Sequence, residues 1–453
     1  MGIARTFAKN TLFQSGANIA VKLASLFLVV YLTVLLSPYD YGIYAWVISI
    51  ALLLEVFADF GTVSSMIKFL SEAMAKKQNN IAAACFKYLF KLRLIALAII
   101  ALVLFFFSDF ISAFAFNKPF LSIPLKFSAL FLVCYSLPTY FQNLFVALKK
   151  NEYIFYSSIL QSVLKVGLMV GLVLFMNSFF GALIGYAAAM IATFLFFVFV
   201  VFKKYRFLFS MNAKIEKKRL FRFAKYAALS SFALIVFSSI DILMISALLP
   251  IENVGFYQIA MSWAVAAVAL APIFLVYPIF SELHAKPKQH LNDAFNYFFK
   301  YFLFFFVPMS FGLAFISNPL IVLLYSSAYE IAVPPILFVL SFLVFLSSIA
   351  SLLVLLFNSI ERPDISAKVF FAALVINVIL TYFFIKSFGI IGAAYAIIIS
   401  YIFVLASLLI LLKPFAEIKP NLIHLIKPLF ASAVMFFVLI TANNLKSVDL
   451  NSP

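Results

Sequence analysis

Charged residues are scarce in this chain of 453 residues: Asp, Glu, Lys and Arg together make up 11%. A typical soluble domain is about 25% charged and about half apolar. Here 66% of the residues are hydrophobic and the mean hydropathy is +1.15, so a globule of this length could not bury its apolar side chains. The composition excludes a soluble enzyme and a disordered chain, and it indicates a protein dissolved in a bilayer.

Cysteine is almost absent, with only Cys85 and Cys134 in the whole chain. Small secreted domains rely on several disulfides, so this count excludes a disulfide scaffold. Cys85 falls in a predicted basic loop and Cys134 in a predicted apolar helix, and we expect two free thiols. The short alternating apolar runs of a membrane β-barrel are lacking as well, because the apolar stretches here are long and unbroken.

Long apolar stretches, separated by turn residues and charges, divide the chain into segments that can span a bilayer. A spanning helix needs about 20 mostly apolar residues, and the pattern predicts an all-α polytopic membrane protein with about 13 (about 12–14) transmembrane helices. The first apolar stretch is too long for the apolar core of a cleavable signal peptide. The spans are predicted at residues 12–36, 42–66, 88–107, 125–148, 153–176, 180–202, 224–249, 254–280, 295–316, 333–358, 366–386, 389–412 and 425–442.

Basic residues are distributed unevenly over the predicted loops, and this distribution predicts the orientation of the chain. Of the 33 Lys and Arg residues, 27 fall in segments on the N-terminal side of the membrane, four fall on the other side, and two lie inside helices. Lys and Arg collect in cytoplasmic loops. We therefore predict a multi-pass protein of the cell inner (plasma) membrane with its N-terminus in the cytoplasm.

Two short motifs recur at nearly one offset and predict an internal repeat. Gly42-Ile43-Tyr44 matches Gly255-Phe256-Tyr257, and Gly181-Ala182 matches Gly392-Ala393. Two six-helix bundles are predicted, which enter the membrane the same way and are related by a pseudo-two-fold axis along its normal, with a substrate site in a central cavity. The predicted divisions are an N-terminal lobe at 1–202, a basic cytoplasmic linker at 203–223, a C-terminal lobe at 224–412, and an extra helix and tail at 413–453.

Polar side chains inside the predicted spans mark the candidate site. A charge in the bilayer costs about 2.5–3.5 kcal/mol on insertion scales, so it needs a partner or a water-filled cavity. Residues four apart share one face of a helix, which groups Asn18 with Lys22 and Gln161 with Lys165. A polar, partly cationic cavity of this kind suits a large anionic head group, and the residues assigned to it are Lys22, Lys165, Asn18, Gln161 and Asn377.

Three intramembrane acids, Glu55, Asp59 and Asp241, are predicted to couple an ion or to form ion pairs. For Glu55 and Lys22, one interpretation is a buried pair that fixes the first helix against the second, and the other is separate contacts in the cavity. For Asp59, both a functional role and a helix-end contact to Lys68 or Lys22 are considered. Asp241 is either an ion or proton site or a partner of a lysine. Arg93 is placed near a cytoplasmic helix end, where its side chain would either reach the surface or contact a phosphate at the mouth of the cavity.

The sequence predicts no catalytic residue, no metal site and no cofactor. The three His residues are scattered, and no phosphate-binding glycine loop of a nucleotide hydrolase is present. The predicted outer loops are all short, which argues against a membrane glycan polymerase. Two glycine pairs at small-xxx-small spacing, Gly167–Gly171 and Gly181–Gly185, predict close helix packing.

Five short motifs follow one another in a recognisable order, namely Ser37 to Tyr44, Asp59-Phe60-Gly61, Ile240-Asp241, Val254 to Tyr257, and Tyr277-Pro278-Ile279-Phe280. Together they resemble the polysaccharide biosynthesis flippases, the O-antigen (Wzx-type) transporters of the multidrug/oligosaccharidyl-lipid/polysaccharide exporter superfamily. The resemblance covers about residues 10–412. Family members often carry a basic residue directly after the Asp of the third motif, where this chain has Ile242.

The resemblance implies a flippase and not an enzyme. Such proteins move an undecaprenyl-pyrophosphate-linked oligosaccharide, an O-antigen or other surface-polysaccharide (lipopolysaccharide) repeat unit, from the cytoplasmic to the outer leaflet by alternating access. The implied partners are this lipid-linked oligosaccharide, membrane lipids and the polysaccharide polymerase machinery, with no nucleic acid. A multidrug cation antiporter of the same superfamily is the alternative, although two mid-membrane lysines oppose cationic substrates. A membrane glycan polymerase is the other alternative.

The predicted orientation can be tested by labelling from outside the cell. Single cysteines at Asn79 and Met211 should be protected from an impermeant thiol reagent, because both lie on the basic side. A cysteine at Asn117 should be labelled under the same conditions and serves as the positive control. Labelling at residue 211 would overturn the orientation.

Overall fold

The computed structural model describes residues 2–269, 288–360, 362–416 and 423–449. Helices dominate these ranges, and no β-strand occurs in them. The predicted all-α polytopic membrane fold is confirmed. The chain divides into two compact units, Met1–Gly255 and Phe256–Pro453; the lobe and linker boundaries given above stay a prediction.

The first unit contains ten helices among the described residues and the start of an eleventh. Short links join its long helices, as expected when consecutive apolar spans follow one another. The helices are α1 (Gly2–Leu35), α2 (Pro38–Asp59), α3 (Thr62–Ala75), α4 (Asn79–Phe106), α5 (Ser108–Phe114), α6 (Ser122–Ala147), α7 (Asn151–Met176), α8 (Phe179–Lys204), α9 (Phe207–Ser210), α10 (Lys217–Leu248) and α11 (Glu252–Ala269).

The second unit contains the remaining helices. Pro308 and Pro319 lie inside its longest helix and Pro428 inside its last, where neighbouring helices in a membrane protein can satisfy the freed backbone groups. The helices are α12 (Lys288–Leu324), α13 (Val333–Ser341), α14 (Leu343–Ser359), α15 (Pro363–Phe388), α16 (Ile390–Ala416) and α17 (Ile423–Asp449).

The predicted spans can be compared with these helices. In the described ranges, nine helical segments are long and apolar enough to cross a membrane, and three shorter apolar segments lie in α1, α10 and α17. The predicted eighth span, 254–280, overlaps α11 and continues outside the described residues. Two other predicted spans are each divided between two helices: the second between α2 and α3, and the tenth, 333–358, between α13 and α14, which meet at Phe342. Each remaining predicted span coincides with one helix.

The second predicted span, 42–66, is divided between α2 and α3. Phe60 has φ 44° and Gly61 has φ 70°, a left-handed pair that ends α2 and turns the chain into α3. A Cβ on Gly61 would lie 2.0 Å from the carbonyl oxygen of Ala224 in α10. Only glycine has the required backbone freedom and the space for this approach.

The third predicted span, 88–107, begins too late. α4 starts at Asn79. The basic segment before the apolar stretch, which the sequence predicts to be a loop, therefore forms the first turns of this helix. Cys85 is therefore a helical residue and not a loop residue, while both cysteines are buried free thiols as expected. Arg93 lies at the middle of this helix and not near its end.

The repeated motifs lie at the starts of α2 and α11, and Gly42 and Gly255 lie close to each other in the first unit. A Cβ on Gly255 would lie 3.3 Å from the amide nitrogen of Gly42, and one on Gly42 would lie 2.4 Å from the carbonyl oxygen of Ile251. The repeated glycines thus permit a close backbone contact. Nearby, the Lys118 ammonium donates to the carbonyl oxygens of Ser246 (2.6 Å) and Leu249 at the end of α10, where a cation favours the helix dipole.

Only one of the two glycine pairs expected in helix packing has that role. α7 and α8 pack together along their length, and a Cβ on Gly185 would lie 2.7 Å from Cα of Met169. Gly181 is equally close to the α7 backbone. Gly167 and Gly171 have no atom within 4 Å of such a Cβ, so the prediction for that pair is wrong.

This difference provides a matched test of helix packing. Gly185→Val should lower the free energy of unfolding in detergent by about 1–3 kcal/mol or more, because the added carbons overlap the α7 backbone. Gly167→Val carries the same change of helix propensity on an open face and should be nearly neutral. Thermal unfolding of the two purified variants measures the difference, and equal losses would contradict the packing described here.

Candidate functional site

The first part of the candidate site is the guanidinium of Arg93, which is fully buried in α4. Its Nη1 donates to Oδ1 of Asp59 at 2.7 Å, and its Nη2 donates to Oε1 of Glu55. Both acids lie on α2, one turn apart. Such charge-assisted bonds are the strong ones, and in a bilayer they remove the cost of isolated ions.

The remaining donors of Arg93 are satisfied by α6. Nε donates to the Ser136 hydroxyl at 3.0 Å, and Nη2 donates to the Ser136 carbonyl oxygen at 3.1 Å. The guanidinium also lies 5.4 Å from the ring centroid of Tyr140, where an aromatic face attracts a cation. Arg93 therefore joins α2, α4 and α6 through one side chain.

Asp59 has a second role at the break between α2 and α3. Its Oδ1 accepts hydrogen bonds from the Val63 amide and the Thr62 hydroxyl, both at 3.0 Å. These bonds satisfy donors at the start of α3 that have no partner within the helix. The Asp59-Phe60-Gly61 motif therefore ends one helix, begins the next and positions a carboxylate for Arg93.

This arrangement corrects the ion pair predicted between Lys22 and Glu55. Glu55 pairs with Arg93, and Asp59 pairs with Arg93 and not with a lysine. The prediction failed because α4 begins earlier than its apolar stretch, so Arg93 reaches the depth of Glu55. The expectation that Arg93 extends to the membrane surface is wrong for the same reason.

Lys22 and Lys165 form the second part of the site, on α1 and α7. Both are half-buried, α1 packs against α7, and the two ammonium groups are close enough to repel each other. In the part of the chain that the structure describes, neither lysine forms an ion pair with a carboxylate. Nζ of Lys165 lies 3.9 Å from the ring centroid of Tyr186 on α8, a cation–π contact.

Tyrosines connect these lysines to the Arg93 cluster. The ring of Tyr186 packs against Phe131 of α6, with ring centroids 4.9 Å apart, and Phe131 stacks on Tyr135 at 6.1 Å. Tyr135 lies on the same helix as Ser136, which contacts Arg93. A phenol offers an apolar ring and one hydroxyl that both donates and accepts. The lysines and the acid cluster therefore belong to one polar neighbourhood inside the first unit.

The other predicted cavity residues fall in different places. Nε2 of Gln161 contacts the sulfur of Met190 at 3.2 Å, between α7 and α8. Asn377 is fully buried in α15 of the second unit; its Oδ1 accepts from Thr381 at 3.4 Å, and its Nδ2 has no partner among the described residues. The side chain of Asn18 lies outside the described residues. Asp241 is buried in α10, and its role stays a prediction, as do those of the other candidates.

The described ranges contain no group of three His, Cys, Asp or Glu side chains placed to hold a metal ion. The site itself contains amines, a guanidinium, carboxylates and phenols. Such groups can bind an anion and exchange hydrogen bonds with it.

Residues 7–284, more than half of the chain, match the family described as "Polysaccharide biosynthesis protein". The chain belongs to this family. The Arg93 cluster, Lys22 and Lys165 all lie inside the part of the chain that matches the family. The resemblance inferred from the five motifs is thereby confirmed.

Two curated proteins are similar to this family member in sequence. The "Probable low-salt glycan biosynthesis flippase Agl15" of Haloferax volcanii is 26% identical over 189 residues, which are 41% of this chain and 39% of that protein. The "Uncharacterized membrane protein MJ1068" of Methanocaldococcus jannaschii is 22% identical over 384 residues, 80% of this chain and 75% of that protein. The chain thus spans about two fifths of the length of the first relative.

Solved structures show the same fold. The lipid II flippase MurJ in an inward closed conformation is 18% identical with a TM-score of 0.74, covering 95% of this chain and 92% of that one. An inward-facing multidrug resistance transporter of the MATE family is 13% identical with a TM-score of 0.71, covering 95% and 96%. At these identities the likeness concerns the fold alone, and both a flippase and a drug transporter have it.

The residues that sequence reasoning missed are Arg93, Ser136 and Tyr186. Ser136 and Tyr186 carry no signal in the sequence, because serine and tyrosine are common in membrane helices. Arg93 did carry one. The segment Asn79 to Arg93 has no proline or glycine, so a helix through the basic residues was as compatible with the sequence as a loop.

The Arg93 cluster can be tested by removing its charge. Arg93→Gln leaves the carboxylates of Glu55 and Asp59, which are only 12% and 20% exposed, without their cation. It should lower the free energy of unfolding by up to about 3–5 kcal/mol. Lys91→Gln changes an exposed cation two residues away on the same helix and should have little effect. Unfolding in detergent and the amount of protein inserted in the membrane are measured for both variants.

The neutral triple variant Arg93→Gln, Glu55→Gln and Asp59→Asn supplies the control. It leaves no uncompensated charge and should recover part of the lost stability. If Arg93→Gln were as stable as Lys91→Gln, the buried ion cluster would not have the structural role assigned to it.

Proposed function

We propose that this protein is a flippase that moves an undecaprenyl-pyrophosphate-linked oligosaccharide, such as an O-antigen or other surface-polysaccharide repeat unit, from the cytoplasmic to the outer leaflet. The family and the glycan flippase among its relatives support the general class. The proposal places the protein in the inner (plasma) membrane with its N-terminus in the cytoplasm. It acts by alternating access, without catalytic residues of its own.

The observation that carries the proposal is the division of charge in the first unit. The two acids of α2 are used by Arg93, so they do not neutralise Lys22 and Lys165. Two neighbouring ammonium groups inside a membrane repel each other, and an anion bound between them would relieve this repulsion. A pyrophosphate diester carries such an anion at the junction between its lipid and its sugars.

Tyr186 supports the same reading of Lys165. Its ring partly replaces water around the ammonium when no anion is bound, without cancelling the charge. An arriving phosphate oxygen can then bind the lysine while the sugars lie along the phenols and amides of the same neighbourhood. Aromatic and amide side chains suit sugars because both offer hydrogen bonds and apolar faces.

A multidrug cation antiporter is the second candidate, favoured by the shared fold with MATE transporters. Such a transporter needs free acids that face a cationic substrate. In the described part of the first unit the two acids of α2 are bound to a buried arginine, and the lysines would repel a cation. The charge pattern therefore favours the flippase. The short links between helices in the first unit leave little room for the catalytic loop of a polymerase, which would instead be a partner.

The role of Lys165 can be tested in cells that depend on this flippase for surface glycan. Lys165→Ala should reduce glycan display about tenfold or more while the protein stays folded and inserted, because a binding charge is lost. Lys165→Arg should keep part of the activity, since the charge remains.

A matched control exists in the second unit. Lys386 also lies over a tyrosine ring, 4.3 Å from that of Tyr382, but it is exposed at the end of α15. Lys386→Ala removes the same kind of contact and should leave display unchanged. Full display by Lys165→Ala would remove this residue from the substrate site.

A further inference from the structure

The segment from Lys203 to Lys225 carries an unusual concentration of positive charge. It contains nine Lys and Arg residues and one acid, Glu216. All nine cations are exposed. Orientation by the positive-inside rule requires only that such residues be present; it does not require them to be held in a fixed arrangement.

The segment is nevertheless folded onto the first unit. Leu208 and Leu220 are buried in the core cluster that also contains Phe86 and Phe141, and aromatic residues of the segment pack around them. A linker that only tethers two domains has no need of buried anchors. The apolar side chains thus hold the segment in place, and its cations lie on the outer surface.

Polar contacts fix the segment as well. The Lys87 ammonium of α4 donates to the carbonyl oxygen of Phe209 at 3.0 Å and to Oδ1 of Asn212 at 2.6 Å. Nζ of Lys68 lies 4.3 Å from the ring centroid of Phe223. These bonds attach residues 207–223 to α3 and α4 and restrict the positions that the neighbouring cations can take.

A cleft of about 240 Å³ lies where the segment meets α3 and α4. Its cationic lining comes from Lys76, Lys214 and Arg219, and its acids are Glu72 and Glu216. Glu72 is bound to Lys76 at 2.7 Å, and this hydrogen bond holds the pKa of the Glu72 carboxyl below its ordinary value. Lys214 and Arg219 form no ion pair with a described carboxylate, so positive charge remains available at the cleft.

Exposed apolar side chains accompany this charge. Met211 and Phe221 are each 42% exposed and lie in the same segment as the cations. Cations beside exposed apolar groups are typical of protein surfaces that lie in the headgroup region of a membrane. Clusters of four to eight Lys or Arg next to a spanning helix are typical of binding to anionic lipids.

We propose that the face formed by residues 203–225 binds the headgroups of anionic phospholipids on the predicted cytoplasmic side, and that the cleft between Lys214 and Arg219 receives a headgroup phosphate. The buried anchors hold the cations at the membrane surface, so binding requires little ordering of side chains. This site is separate from the intramembrane lysines and does not depend on the flippase function. An anionic lipid bound there would fix the start of α10 to the leaflet.

The experiment measures lipid binding by the full-length protein purified in detergent. The probes are phosphatidylglycerol and phosphatidylcholine with matched acyl chains, and native mass spectrometry reports the bound lipid. The wild-type protein should retain phosphatidylglycerol in preference to phosphatidylcholine. The double variant Lys214→Gln and Arg219→Gln should bind phosphatidylglycerol about tenfold more weakly, with an unchanged unfolding temperature because both residues are exposed.

The matched control is Lys203→Gln with Lys225→Gln, which removes two exposed cations of the same segment that do not line the cleft. It should retain most of the binding. Arg219→Lys keeps the charge while changing the contact of Arg219 with the Phe69 ring, and it should also retain binding. If only the variant that lacks both cleft cations loses binding, the cleft is the lipid site.

Three results would overturn the proposal. The first is equal binding of the two lipids by the wild-type protein. The second is an equal loss in the cleft and control pairs, which would indicate diffuse attraction and no site. The third is displacement of the lipid by millimolar inorganic phosphate with binding of phosphate alone, which would indicate a site for a soluble phosphate.

Discussion

The Arg93 guanidinium is the interaction on which the membrane part of the first unit depends. It is fully buried, and it bonds two carboxylates of α2 and a serine of α6. A bilayer offers no water to replace any of these partners. Since each helix contributes a group that is costly when alone, the contacts favour one arrangement of the three helices, and Asp59 extends them to α3 by accepting from Thr62 and Val63.

This cluster also determines the charge of the rest of the site. By engaging Glu55 and Asp59, Arg93 leaves Lys22 and Lys165 without those acids as partners. The ring of Tyr186 lies against the Lys165 ammonium and stabilises this cation without neutralising it. The fold is shared with a flippase and a drug transporter, so the proposed function rests on the sign of the charge inside the first unit and not on the fold.

The sequence was sufficient for the features that depend on apolar length and on residue type. The spans follow from runs of apolar residues, the two lysines from their position within those runs, and the family from the order of short motifs. The amino-acid sequence was insufficient to predict the helix boundary where a helix continues from apolar into polar sequence. α4 begins at Asn79, well before its apolar stretch, and this shift placed Arg93 at the wrong depth and Glu55 with the wrong partner. The packing of Gly181 and Gly185, but not Gly167 and Gly171, depends on which helix face meets a neighbour, and spacing alone does not specify this.

The proposed function requires that the intramembrane site of the first unit bind an anion. The most direct measurement compares two ligands on the purified protein: undecaprenyl pyrophosphate, and tetraphenylphosphonium as a lipophilic cation of the kind carried by drug transporters. We predict saturable binding of the pyrophosphate lipid, weakened in a variant with both Lys22→Ala and Lys165→Ala, and no saturable binding of the cation. Saturable binding of the cation, with no binding of the pyrophosphate lipid, would contradict the account.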